Sequence, residues 1–163
     1  MSLHAPEMNQ TKGIQLDKDA FVIIVRTEWN ASIVDELESG CAKILQQHHI
    51  PFIVINVPGA VEIPFAIKHY WDTHQLHHKA IAFIALGCVL KGDTPHFDYV
   101  CKLVTDGVLQ LNLSLPVPTI FGILTVDQEI QALERIGGKH GHKGEEAAWT
   151  ALKMISLSQS FIK

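Results

Sequence analysis

Residues 80–96 read AIAFIALGCVLKGDTPH, a continuous apolar run that passes through a polar turn into a helix start. The apolar run over residues 80–87 is typical of a strand that is buried on both faces of a parallel sheet. Thr94 followed by Pro95 predicts a helix start, because threonine caps helices and proline fits their first turn. This stretch therefore predicts one strand–loop–helix unit of an α/β fold.

The same alternation continues on both sides of this unit. Further strand-like runs cover residues 21–25, 52–57 and 118–124. Apolar spacing predicts helices over residues 32–48, 63–71, 94–113 and 144–162, and helix start and stop signals predict one over residues 125–138. Alternating strands and helices imply right-handed crossovers and a parallel sheet. We predict a flavodoxin-like three-layer sandwich, with a four-stranded parallel sheet and helices on both faces. A fifth, N-terminal strand is left open.

The fourth helix is predicted from its two ends. Residues 125–128 match a capping box, with Thr125 at the cap and Gln128 three residues on. Gly137 and Gly138 then predict the helix end. Arg135 would lie about 15 Å along this helix, too far to reach the tip of the third strand in its own chain.

Length and composition place the chain among globular domains. Its 163 residues suit one domain, which we assign to residues 20–163 after an N-terminal arm over residues 1–19. Apolar residues make up 47% and charged residues 18%, which excludes a disordered chain. A net charge of −4 gives no basic surface for nucleic acid or an anionic membrane. His74, His77 and His78 predict an exposed loop.

The cysteines and the apolar runs indicate a cytoplasmic protein. Cys41, Cys88 and Cys101 are odd in number and widely spaced, unlike a disulfide framework or a zinc site. We expect reduced, mostly buried thiols. The longest apolar run, residues 80–90, is far shorter than the ~20 residues that span a bilayer. Residues 1–13 contain no hydrophobic signal core, so secretion is not expected.

Ligands of doubly wound sheets bind beyond the carboxyl ends of the strands. Four windows lie there: residues 27–30, 58–62, 88–96 and 121–125. The candidate functional residues are concentrated in these windows.

The window at residues 88–96 favours an anion. A glycine-containing turn at a helix start presents free backbone N–H groups at the positive end of the helix dipole. Lys91 and Thr94 add donors, although the spacing is not that of a P-loop. His96, in the first turn, is expected to be neutral and able to move a proton near pH 7. A capped helix start with a partly exposed histidine explains the window equally well.

The other candidates have simple structural explanations as well. Glu62 either contacts a ligand or favours a helix dipole. Trp29 either stacks on a planar ring or packs under a loop, with Asn30 capping the first helix. Arg135 and Lys143 are either ligand-binding cations or ordinary charges near helix ends.

Four stretches carry a resemblance to one family. They are VPGAVEIP (residues 57–64), LGCVLKGDTPHFDYV (86–100), FGILTVD (121–127) and QALERIGGKHGHKGEEAA (131–148). In this order they resemble lumazine synthase, the penultimate enzyme of riboflavin synthesis. The resemblance extends from about residue 21 to the C-terminus.

The resemblance implies a condensation that needs neither a metal nor an organic cofactor. The family joins 5-amino-6-(D-ribitylamino)uracil to 3,4-dihydroxy-2-butanone 4-phosphate. An amine adds to the ketone to give an imine, phosphate leaves by β-elimination, and a second amine closes the ring. The protein then has to orient two substrates, hold a phosphate dianion and supply one acid/base group.

The resemblance also implies site residues around the uracil substrate. His96 falls at the catalytic proton-transfer histidine, and Trp29 at the aromatic that stacks on the pyrimidine. The ribityl chain and the ring edge are held by a stretch that here consists of Ala60, Val61 and Glu62. Backbone contacts to the uracil correspond to Cys88, Val89 and Leu90.

The phosphate side is assigned in the same way. Asp93 and Thr94 match the phosphate-substrate loop, and Arg135 matches the phosphate-binding arginine. Phe121 matches a substrate contact at the end of the fourth strand. Lys143 matches a lysine of the last motif.

Four positions depart from the family pattern. Many relatives have phenylalanine at Trp29, an aromatic at Val61, threonine at Cys88 and arginine at Lys91. The tryptophan preserves stacking. The valine affects expected affinity rather than activity, and the matching contact of the cysteine is through its backbone.

Family assemblies are homopentamers, in some members packed into icosahedral shells, with sites between adjacent subunits. We expect a pentamer or an assembly of pentamers, with Val100, Val104 and Val108 lining a five-fold contact, and riboflavin synthase as a candidate partner. Three alternatives remain: a catalytically weak lumazine- or flavin-binding paralogue, a flavodoxin-like electron-transfer module, and the related archaeal riboflavin synthase.

Overall fold

The structure is a computed structural model, and it describes residues 14, 20–74 and 80–162. The predicted N-terminal arm falls almost wholly outside the described residues. His77 and His78 of the predicted exposed loop also lie outside them.

Four parallel strands form the central sheet. In chain order they are β1 (Phe21–Thr27), β2 (Phe52–Val57), β3 (Ala80–Leu90) and β4 (Thr119–Val126). Their order across the sheet is β2-β1-β3-β4, and every pairing is parallel. The predicted four-stranded sheet of a flavodoxin-like α/β fold is therefore confirmed. The apolar runs are continuous because helices cover both faces of the inner strands.

Helices pack on each face of this sheet. On one face lie α1 (Ala31–Gln47) and the C-terminal helix (Lys143–Ser160), and on the other lie α2 (Ile63–His74) and α3 (His96–Ser114). The predicted inward residues Val104, Val108 and Leu111 of α3 are buried. Among the described residues, none of the helices has the length and apolarity needed to span a membrane.

Two predicted helix starts are displaced. Pro95 is the N-cap of α3, and the hydroxyl of Thr94 accepts a hydrogen bond from the His96 N–H at 3.4 Å. The fourth helix, α4, spans only Glu129–Leu133 and is capped by Gln128. The prediction of Thr125 as its cap is wrong, because β4 continues to Val126 and keeps that residue in the sheet.

The predicted end of α4 at residues 137 and 138 is also wrong. Those glycines belong to a small antiparallel hairpin of β5 (Ile136–Gly138) and β6 (Gly141–His142), which the sequence did not predict. Gly137 and Gly141 have φ angles of 109° and 83°, which strongly favour glycine. The C-terminal helix, α5, begins directly after the hairpin. Arg135 therefore lies in the turn before β5. The helix that was expected to run from the fourth strand to Arg135 ends before that residue.

The expected role of α3 in a five-fold contact needs correction. Val104 and Val108 cannot line a surface contact, because both are buried beneath the helix. The exposed apolar side chains of α3 are instead Tyr99, Leu103, Leu109 and Leu113.

Candidate active site

Hydrogen bonds join the loops at the carboxyl ends of three neighbouring strands. The Glu28 N–H donates to the Val57 carbonyl at 2.9 Å, and the Trp29 N–H donates to the Pro58 carbonyl at 3.4 Å. The side-chain amide of Asn30 donates to the Cys88 carbonyl at 2.8 Å. The ends of β1, β2 and β3 therefore form one connected rim.

Asn30 has a role that the sequence did not predict. It occupies the N-cap position of α1, but its side chain makes no capping hydrogen bond and spans to β3 instead. Its φ of 57° and ψ of 43° are left-handed, a conformation that asparagine tolerates better than most residues. The turn that carries Trp29 is thus fixed against the third strand.

The indole of Trp29 is available to a ligand. The residue is 73% exposed, so the explanation that it packs under a loop is wrong. A Cβ added to Gly59 would lie 3.8 Å from Cδ1 of Trp29 and 3.0 Å from Oε2 of Glu62. The aromatic ring and the carboxylate therefore flank the same glycine at the tip of β2.

Glu62 ends a single 3-10 turn over Ala60–Glu62 that leads into α2. Ala60 is buried, whereas Val61 and Glu62 are exposed at the rim. The predicted ribityl-binding stretch thus offers one carboxylate and one small apolar side chain, with the alanine available mainly through its backbone.

The third strand presents backbone rather than reactive side chains. Burial, helped by the charge of Glu129, raises the pKa of the Cys88 thiol to about 11. The thiol is therefore protonated and inert near neutral pH. Val89 and Leu90 pair with Thr125 and Val126 of β4.

The loop after β3 is open to solvent. Gly92, Asp93, Thr94 and His96 are all exposed, and the N-terminus of α3 follows directly. Lys91 is partly engaged: its ammonium lies 3.2 Å from Asp127 and 5.9 Å from the centre of the ring of Phe97.

A second cluster of charges lies at the start of α5. The Arg135 guanidinium donates to the His140 carbonyl and to Glu146, with 2.9 Å between Nη2 and Oε2. The Lys143 ammonium lies 3.9 Å from the same carboxylate oxygen. Burial lowers the pKa of Lys143, the Glu146 charge opposes that shift, and Arg135 adds to it.

Glu146 belongs to this charge cluster, and sequence reasoning missed it. Its position three residues after Lys143, on the same helical face, is the signal that would have found it. Its carboxylate holds both predicted phosphate-side cations, Arg135 and Lys143.

The structure brings together most of the predicted site, but not all of it. One group lies along the carboxyl edge of the sheet and comprises Trp29, Ala60, Val61, Glu62, Cys88, Val89, Leu90, Asp93, Thr94 and His96. Arg135 and Lys143 form the second group. Within the described part of the chain, no hydrogen bond or ion pair links the two groups.

Phe121 was expected at the end of the fourth strand, and the structure places it elsewhere. It is the third residue of β4 and pairs with Ala85, because the strand continues to Val126. Its side chain packs partly against the core on the α2 and α3 face. It lies on the edge strand of the sheet.

The described residues contain no group of three or more histidine, cysteine or acidic side chains that could hold a metal ion.

Comparison with known proteins gives a consistent result. The family model of 6,7-dimethyl-8-ribityllumazine synthase matches residues 19–159. A 6,7-dimethyl-8-ribityllumazine synthase of Porphyromonas gingivalis is 44% identical over 151 residues, covering 91% of each chain. The protein of that name from Parabacteroides distasonis is 46% identical over 138 residues, covering 83% of this chain and 84% of its own. The one from Cytophaga hutchinsonii is 44% identical over 136 residues, covering 82% and 83%.

Proposed function

The chain belongs to the 6,7-dimethyl-8-ribityllumazine synthase family, and we propose from this membership how its residues perform the reaction. It is a transferase of riboflavin biosynthesis. The reaction condenses 5-amino-6-(D-ribitylamino)uracil with 3,4-dihydroxy-2-butanone 4-phosphate and releases phosphate and water. The observation that carries the assignment of the site is the connected rim formed by residues 28–30, 57–62 and 88–90.

The uracil substrate binds at this rim. Its pyrimidine ring stacks on the exposed indole of Trp29, which the Asn30 hydrogen bond to Cys88 holds in place. Glu62, which also lies close to Gly59, accepts hydrogen bonds from ribityl hydroxyl groups. Backbone groups of Val89 and Leu90 contact the ring edge.

The butanone phosphate binds in front of α3. Its phosphate meets the free N–H groups of the exposed loop around Asp93 and Thr94, at the positive end of a helix of 19 residues. Arg135 supplies the cation that neutralises the dianion. Lys143 stands beside it.

His96 moves the protons. It is exposed in the first turn of α3, next to the proposed phosphate loop, so it can reach a reacting group there. Imine formation, β-elimination and ring closure each require a proton transfer. The uracil brings its own nucleophiles, so orientation of the two substrates and one acid/base group account for the catalysis.

The decisive experiment mixes the protein with both substrates. Lumazine absorbance and phosphate release are followed together, and we expect one phosphate for each lumazine formed. Binding of the uracil substrate without phosphate release would identify the chain as a catalytically weak paralogue.

We further propose that the active form is a pentamer, or an assembly of pentamers, with sites shared between subunits. Large apolar side chains on α2 and α3 are exposed on the isolated chain: Phe65, Tyr99, Leu103 and Leu113. Their burial in a ring of identical subunits would also bring Arg135 of one chain towards His96 of the next. Native mass spectrometry should give about 90 kDa for a pentamer, five times the 18.1 kDa chain. A cytoplasmic location, and association with riboflavin synthase, belong to the same proposal.

A further inference from the structure

His142 caps the helix that carries the phosphate-side charges. It is the N-cap residue of α5, with extended backbone, and its Nδ1 accepts a hydrogen bond from the Glu145 N–H at 3.4 Å. The donating N–H is that of the third helical residue, which a capping side chain normally satisfies.

The imidazole also fills a gap between α5 and α1. Its ring atoms lie 2.2–2.7 Å from the point where a Cβ on Gly40 would be, so only glycine leaves room for it. One turn away, a Cβ on Gly144 would lie 2.0 Å from the Leu37 carbonyl oxygen. An ion pair of 2.8 Å between Lys43 and Glu145 joins the same two helices. The start of α5 is therefore held tightly against α1.

The same turn of α5 positions the phosphate-side cations. Lys143 follows the cap directly, and its N–H donates to the Arg135 carbonyl at 2.7 Å. Glu146 lies one residue beyond the capped N–H and binds the Arg135 guanidinium. Any movement of the first turn of α5 therefore moves both the backbone and the side chain of Arg135.

We propose that His142 is a positioning residue for Arg135 and Lys143, and that it works only while its Nδ1 carries no proton. A protonated Nδ1 is a donor, so it cannot accept from the Glu145 N–H. It would then face the positive end of the helix dipole. The inference rests on the proposed function in one respect: the ligand of Arg135 is taken to be the phosphate substrate.

The charged and titratable groups around His142 come from α1, the hairpin and α5. Glu38 of α1 is paired with Arg26, and Glu145 of α5 is paired with Lys43 of α1. Both carboxylates therefore already have a partner. The Cys41 thiol, whose pKa burial raises to about 12, stays neutral.

The charged groups of the hairpin and the start of α5 are paired with one another. Arg135 and Lys143 share the single carboxylate of Glu146. Lys139 and His140 both lie near Glu134, at 2.7 and 3.6 Å. Ile136, the β5 residue paired with His142, is apolar. Protonation of His142 would therefore add a positive charge beside groups that already have partners.

Two variants separate capping from mere packing. His142→Asn replaces the ring nitrogen with an amide oxygen, which can accept from the same N–H and cannot be protonated near neutral pH. His142→Ala has no acceptor. At pH 7.5 we expect His142→Ala to raise KM for the butanone phosphate about five- to tenfold, as loss of a cap of ordinary strength would. We expect kcat and KM for the uracil substrate to change less than twofold. His142→Asn should stay near wild type, and an equal loss in both variants overturns the capping role.

The proton dependence is read from a ratio. Because loss of the Nδ1 acceptor affects only the wild type, KM of the wild type divided by KM of His142→Asn should rise about threefold or more from pH 7.5 to pH 5.5. Titration of the substrate phosphate and of His96 cancels in this ratio, because both enzymes share them. A ratio that stays constant overturns the proton dependence.

A measurement without substrates keeps this inference separate from the proposed function. Hydrogen exchange at the Glu145 amide and binding of inorganic phosphate are measured for the wild type and both variants. If His142→Ala, but not His142→Asn, shows faster exchange and about fivefold weaker phosphate binding, the inference is supported even if no lumazine is formed. Unchanged exchange or unchanged phosphate binding overturns it, even in an active enzyme. If His142→Ala does not fold, the pH dependence of both measurements in the wild type against His142→Asn decides.

Discussion

Glu146 accepts a hydrogen bond from Arg135, with 2.9 Å between Oε2 and Nη2. The guanidinium of Arg135 is therefore held in one orientation before any ligand binds. The His140 carbonyl holds a second nitrogen of the same group. A preoriented guanidinium loses little freedom when a phosphate binds, so the pair prepares the site rather than blocking it.

Replacement of Arg135 should affect one substrate only. We expect Arg135→Ala to raise KM for the butanone phosphate about 10- to 100-fold, the usual loss for a hydrogen bond between charged groups. KM for the uracil substrate should stay within twofold. Because the variant also removes the hydrogen-bonded partner of the Glu146 carboxylate, the control is Arg135→Ala combined with Glu146→Ala, which should recover melting temperature but not phosphate affinity. Equal losses for both substrates would mean that Arg135 is structural.

The sheet could be predicted from the sequence because its apolar runs are continuous. Phe52–Val57 is found as predicted, and the other strands run beyond their predicted ends. In β3 and β4 the extensions reach Leu90 and Val126, where neighbouring strands still pair although the local sequence suggests a loop. Tertiary pairing decides the ends of strands, and a single sequence contains no record of it.

The region after β4 could not be predicted for a related reason. Thr125 is a good cap in isolation, but the pairing of β4 with Val89 holds it in the sheet. The capping box then forms at Gln128 with Gln131. Gly137, interpreted as a helix end, is a hairpin residue with positive φ. Local propensity predicted that a capping box and glycine turns occur here, but it placed them at the wrong residues. Arg135 was therefore misplaced, and Glu146 was missed.

Trp29 should contribute to binding and not to stability. Because it is 73% exposed, Trp29→Ala should leave the melting temperature unchanged within error. Stacking of a base on an aromatic ring contributes about 1–3 kcal/mol, so KM for the uracil substrate should rise about 5- to 150-fold. Trp29→Phe is the matched control, and the logarithm of its KM for the uracil substrate should rise by less than a third of the increase seen in Trp29→Ala. An alanine variant with unchanged uracil binding would contradict the stacking role.

His96 should contribute a moderate factor to turnover. We expect His96→Ala to lower kcat by about 10²-fold or less, since general acid/base groups usually contribute about 10²–10⁴-fold and orientation survives the change. Its kcat should also vary less between pH 6 and pH 8 than that of the wild type. Steady-state kinetics at saturating concentrations of both substrates give the comparison. Wild-type turnover in the variant would remove His96 from the mechanism.

Cys88 should be inert, and its burial should make the fold sensitive to alkali. A pKa raised from 9.0 to about 11 means that the native state retains a proton which the unfolded chain loses first. The stability linked to this thiol is complete below pH 9 and is lost as the pH rises through about 11. Cys88→Ala should therefore lose less stability between pH 9 and pH 11 than the wild type, while keeping near-normal activity. Denaturant unfolding at several pH values tests this, and a strong loss of activity would show that the side chain contacts substrate.

Mixed assemblies test whether a complete site needs two chains. His96→Ala chains keep Arg135, and Arg135→Ala chains keep His96, so neither variant alone forms an interface with both residues intact. After joint unfolding and reassembly at equal amounts, random pairing in a cyclic ring leaves about a quarter of the interfaces with both residues intact. Activity at low butanone phosphate should then approach a quarter of the wild-type value, well above either variant. The same variants reassembled separately and mixed afterwards are the control. If joint reassembly gives only the average of the two, His96 and Arg135 act within one chain and the shared site is wrong.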